Sequence, residues 1–221
     1  MDREQALEWT KAERLGIADF LEELDTEDWR KDSLCTGWTV RDVAAHLTLS
    51  TRTTLLDLLK GAVGARFDWE RMEYDKARER AARYTPAELV AQIRETAGSP
   101  RRAPMSAPLD PLTDFLVHGQ DIARPLGRTR PMPGPQTVAA LDHVVASPFY
   151  GAKKRLRGVR LVATDADWST GTSARTGTDA GPAEARGPAG DLLLVVTGRR
   201  AGLAAVTGAG AERLRERLGE R

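Results

Sequence analysis

The sequence predicts an α+β protein: a four-helix bundle over residues 1–150, then a small α+β domain over residues 151–221. Two observations carry the prediction. Apolar residues recur at three- and four-residue intervals as far as Gly127, the spacing of amphipathic helices. Strand-length, branched apolar runs occur only after that point. At 221 residues, 41% hydrophobic and 29% charged, the chain is long enough to bury a substantial core without disulfides or a structural metal.

Leu7, Ala12, Leu15, Ala18, Leu21 and Leu24 place the first helix between Asp2 and about Asp25. Thr39 followed by Asp42 has the form of a capping box and opens a second helix through Val40, Val43 and Leu47, continuing into Leu55 to Leu59. Thr85-Pro86 reads as an N-cap followed by proline in the first turn, starting a third helix that runs to about Ala97. Asp110-Pro111 repeats that form for a fourth, which Pro125 and Gly127 stop. Thr137 to Val145 can form one more helix, and Val159 to Thr164 and Leu192 to Thr197 read as strands. Ser169 to Gly190 is either loop or a weakly apolar strand pair.

With 33 Lys and Arg against 32 Asp and Glu, the net charge of +1 supplies no field for gathering nucleic acid or anionic lipid, although Lys153, Lys154, Arg155, Arg157 and Arg160 form a local basic patch. Cys35 is the only cysteine, which rules out an internal disulfide and a cysteine-rich zinc module and suits a reducing cytoplasm. The N-terminus lacks the apolar core of a signal peptide, and no apolar window reaches membrane-span length. A cytoplasmic protein is expected.

Asp114 and His118 are four residues apart on the predicted fourth helix, so their side chains emerge one turn apart on one face. That spacing serves a helix-surface ion pair as readily as a metal. His46, on the second helix, can supply a third ligand, and two imidazoles with a carboxylate suit Zn2+ while leaving a coordination position open. Asp121 can fix a histidine tautomer from behind or simply face solvent. Trp38 reads as a packing residue. No base is visible beside Cys35, which argues against a protein nucleophile.

The string Gly37-Trp38-Thr39-Val40-Arg41-Asp42-Val43-Ala44-Ala45-His46-Leu47 and the string Phe115-Leu116-Val117-His118-Gly119-Gln120-Asp121-Ile122-Ala123-Arg124-Pro125-Leu126-Gly127 resemble the mycothiol-dependent maleylpyruvate isomerase family, which belongs to the DinB-like metal-binding bundles. Leu161-Val162-Ala163-Thr164-Asp165 with Trp168, then Gly190 to Leu194 and Gly198-Arg199, are similar to that family's smaller C-terminal domain.

The resemblance implies a divalent metal, usually zinc, held by His46, Asp114 and His118, and mycothiol as the thiol cosubstrate. Asp114 stands where the family carries glutamate, one methylene longer, and Gln120 where tryptophan is common. Arg199 becomes a candidate for binding a substrate carboxylate. The implied chemistry is isomerisation of a maleylpyruvate-like diacid or transfer of the thiol to a small electrophile; the alternative is a non-catalytic metal- or small-ligand-binding protein on the same bundle.

Overall fold

The structure, a computed structural model, describes residues 2–57, 69–171 and 181–219. It divides into two compact units, Met1–Arg130 and Pro131–Arg221.

In the first unit, α1 (Arg3–Glu22) begins at Asp2, whose side chain accepts from the Gln5 amide at 2.8 Å. α2 (Val40–Leu49) opens on the expected capping box: the Thr39 amide donates to Asp42 Oδ2 at 2.8 Å, and the Asp42 amide donates to Thr39 Oγ1 at 3.3 Å. A capping box at Thr85 and Glu88 likewise starts α4 (Pro86–Glu95). α5 spans Asp110–Ala123. Asp110 is not its cap, because its carboxylate accepts from the Ala107 amide in the preceding turn.

These four helices are the bundle, with α1 and α2 each packed against α4 and α5. Ile17 and Leu21 of α1, Val43 and Leu47 of α2, Leu89 and Ile93 of α4, and Phe115 and Ile122 of α5 meet in one buried cluster. Each such side chain contributes about 1.5–3 kcal/mol on burial.

Two features depart from the sequence reading. A further helix, α3 (Trp69–Arg83), lies against α2. Nine of its fifteen residues are charged, and among its described side chains the buried apolar ones are only Met72, Ala77 and Ala81, too few to register as apolar periodicity. The second helix also ends at Leu49, ten residues earlier than expected, because Thr54 and Asp57 form a reciprocal cap that starts a new turn. Leu58 and Leu59 lie outside the described residues.

In the second unit, α6 (Gly134–Ala146) packs against α8 (Ala189–Val196), so it groups with this unit and the division falls at Arg130 rather than at residue 150. α7 is the single turn Ala152–Arg155. β1 (Val159–Ala163) pairs in parallel with β2 (Ala183–Gly187), from Val159 opposite Ala183 to Ala163 opposite Gly187. α9 (Ala209–Gly219) covers both strands.

The run Leu192 to Val196, expected as a strand, is helical. All five side chains are fully buried, so no polar face betrays the period, and a continuous apolar run fits a buried helix as well as a buried strand. The start is set by Asp165, whose carboxylate accepts from the Ala189 amide at 2.8 Å. The second strand instead comes from the Ser169–Gly190 stretch that the sequence left open. Among the described residues no helix is long and apolar enough to cross a membrane.

Candidate metal centre

Every α5 side chain from Pro111 to Ala123 is buried except Asp114, whose carboxylate is 31% exposed. His118, one turn on, is 9% exposed. α2 brings His46 to the same point: Asp114 Oδ1 lies 3.3 Å from His118 Nε2 and 3.6 Å from His46 Nε2. One donor atom from each of the three lies within 4.8 Å of the others. A tetrahedral ion with ligand bonds of about 2.0–2.2 Å has ligand–ligand edges of about 3.3–3.6 Å. The two measured separations fall on that range and exceed an ordinary N–H···O bond, so the donor set fits a small divalent cation.

The opposite ring nitrogens are held by other carboxylates. His118 Nδ1 is 2.9 Å from Asp121 Oδ2, and Asp121 is fully buried. An ionised carboxylate only accepts, so the Nδ1 proton is fixed there and the Nε2 lone pair faces Asp114 and His46. His46 Nδ1 makes a looser ion-pair contact, 3.3 Å from Glu73 Oε2 on α3. Trp38 packs over both imidazoles, with ring centroids 5.2 Å from His46 and 6.3 Å from His118, in keeping with the packing role expected of it. Gln120 is buried and occupied, its amide donating to the Arg130 carbonyl.

Electrostatics follow from this crowding. Burial favours the neutral forms, yet the Asp114 charge beside them holds both histidines above the usual imidazole value, His118 furthest. Burial would likewise raise Asp114, but His118 and His46 keep it well below the ordinary carboxylate range. Glu73 is also lowered: its partial burial acts upward and the hydrogen-bonding and charge of His46 prevail. Without a metal, both imidazoles therefore hold a proton more readily than a free histidine does.

Sequence reasoning missed two neighbours. Glu73 sits on the unrecognised α3, and only an i, i+4 test of that charged stretch against the apolar residues it flanks would have raised it. Cys35, expected to stand alone, lies 3.7 Å from His118 Nδ1 and donates to Asp121 Oδ2 at 3.2 Å. The Ser33–Trp38 turn places it there, and no spacing along the chain could show this. Arg199 belongs to the second unit, where it is half-buried and donates to the Thr197 carbonyl at 3.0 Å.

A four-helix bundle with an inward histidine–carboxylate cluster, followed by a small α+β unit, defines the class. Residues 10–132 match the family described as the mycothiol maleylpyruvate isomerase N-terminal domain, and the chain belongs to that family. The fold is also that of a solved mycothiol-dependent maleylpyruvate isomerase, at TM-score 0.64 and 11% identity over 96% of this chain and 94% of that one. A histidine-to-alanine mutant of such an enzyme superposes at TM-score 0.60 and 13% identity, with the same coverage of 96% and 94%. No curated protein matches the chain.

Proposed function

We propose that the protein is a metal-dependent enzyme that activates a low-molecular-weight thiol, mycothiol, for cis–trans isomerisation of a maleylpyruvate-like diacid or for transfer of the thiol to a small electrophile. The observation that carries this reading is the convergence of His46 Nε2, His118 Nε2 and Asp114 Oδ1 in a member of this family. His46, Asp114 and His118 would hold the metal, Zn2+ being the ion that best suits two imidazoles and a carboxylate. Bound there, the ion supplies the positive charge that keeps an exogenous thiol ionised near neutral pH.

The chain's own contribution is orientation. Asp121 holds the His118 ring from Nδ1, Glu73 does the same more loosely for His46, and Trp38 limits tilting of both rings. The partial exposure of Asp114 and of Glu73, 31% and 40% at the side chain, leaves an approach for a small thiol and its acceptor. The family resemblance alone makes Arg199 a candidate for binding a carboxylate of the diacid.

The test is elemental analysis of the purified protein followed by thiol consumption. Protein reconstituted with Zn2+ should consume mycothiol with an electrophile or isomerise the diacid. Metal retained without turnover across several electrophiles would leave the protein a metal-binding member of its family. Arg199→Ala should slow a diacid more than a neutral electrophile; equal effects would withdraw the carboxylate-binding role from Arg199.

A further inference from the structure

We infer that the first unit carries a second binding site, a cationic pocket for a small multivalent oxyanion, formed where the N-terminal half of α1 meets the connection that precedes α5. The pocket is a small depression open to solvent, with a volume of about 40 Å3. Its polar lining is dominated by Arg3, Arg14, Arg101 and Arg102, and no carboxylate borders it. None of His46, Asp114 and His118 lines it. The inference therefore stands apart from the proposed function.

The chain's acidic and basic residues nearly balance, so a group of four guanidiniums without an ion pair among them is notable here. Among the described residues none of the four forms an ion pair. Arg3 stands in the first turn of α1, where the helix dipole already carries positive potential.

Arg14 is the informative member. It is 1% exposed, and its Nη1 donates to the carbonyls of Thr96, Ala97 and Ser99 at 3.1, 3.1 and 2.9 Å, which closes the end of α4. Its guanidinium lies over the Phe115 ring, 5.6 Å from the centroid. Nε is likewise buried and has no hydrogen-bond partner. Burial lowers this guanidinium to about 10, while the Asp114 charge acts upward.

Guanidinium forks match the paired oxygens of carboxylates and phosphates, and an open depression lined by arginines can take inorganic phosphate or one end of a four-carbon dicarboxylate, the rest standing in solvent. The shared chemistry is two or more anionic oxygens on a compact body.

The test is a calorimetric and thermal titration of the full chain with inorganic phosphate and, separately, maleate, against chloride at equal ionic strength. One of the two should bind saturably and raise Tm beyond chloride, and which one does so identifies the source. Arg101→Ala/Arg102→Ala, which alters exposed and half-exposed side chains, should weaken binding about tenfold or more while leaving the anion-free Tm unchanged. If that double variant is unstable, Arg3→Ala should still weaken binding severalfold. His118→Ala should bind as the parent does. Stabilisation no greater than that by chloride, binding indifferent to Arg3, Arg101 and Arg102, or binding lost in His118→Ala would overturn the inference.

Discussion

His118 Nδ1 and Asp121 Oδ2 lie 2.9 Å apart on one face of α5, with the carboxylate fully buried and the opposite ring nitrogen turned toward Asp114. A carboxylate in this position fixes the tautomer and raises the basicity of a ligand imidazole. Asp121→Asn should therefore lower Zn2+ affinity about 10–100-fold, measured by chelator competition, while far-UV circular dichroism is retained. Unchanged affinity would show that this contact does not orient the ring.

Removing a proposed ligand should do more. His46→Ala and His118→Ala should each return from purification without stoichiometric metal and with the bundle folded, since the core of Ile17, Leu21, Val43, Leu89 and Phe115 does not depend on the ion. Asp114→Glu should keep the metal and Asp114→Ala should lose it. Full occupancy in His118→Ala, read by elemental analysis, would end the ligand assignment.

The two protonation equilibria give a pH dependence of opposite sign in the metal-free and metal-bound protein. Both histidines are raised above 6.5, so their contribution to folding is complete below that value and is lost as pH rises through the elevated ones. Asp114 is depressed, so its contribution is present above 3.8 and is lost as pH falls below it. Chelated protein should thus be most stable at mildly acidic pH, with its denaturant midpoint declining towards alkaline pH. Metal binding requires neutral imidazoles and should tighten over that same rise, releasing protons that calorimetry in two buffers can count.

Cys35 touches both His118 and Asp121, so its variants separate a hydrogen-bonding role from a nucleophilic one. Cys35→Ser keeps a donor for Asp121 and should retain turnover with added mycothiol, whereas His46→Ala should abolish it. Loss of turnover in a folded, metal-loaded Cys35→Ser protein would point to catalysis by the protein thiol.

In the second unit, a Cβ on Gly210 would fall 2.6 Å from the Ala183 carbonyl oxygen and 2.7 Å from the Glu184 carbonyl carbon, both backbone atoms that cannot swing aside. Gly210→Ala should lift α9 from β2 and destabilise the protein by about 1–3 kcal/mol in urea unfolding. An unchanged midpoint would mean that the strand shifts freely.

Much of the first unit was legible because its signals are local. The Thr39–Asp42 and Thr85–Glu88 boxes need only residues three apart, and the structure closes both. α3 was not legible, since a stripe of Met72, Ala77 and Ala81 among charged residues resembles an exposed linker until α2 is packed against it. The resemblance around His46 and His118 supplied the family, which spacing alone could not.

The sequence by itself determined the relation among Asp114, His118 and Asp121, because the rise and turn of one helix place residues three, four and seven apart on one face whatever surrounds them. Only the tertiary structure decided what meets that face. His46 arrives from α2, Glu73 from α3 and Cys35 from the turn before α2, through packing of apolar surfaces that carry no information about the polar groups they bring together. The same reason governs Leu192 to Val196: a run buried on every side is read as helix or strand by its neighbours, and here α6 and the Asp165 cap decided for helix.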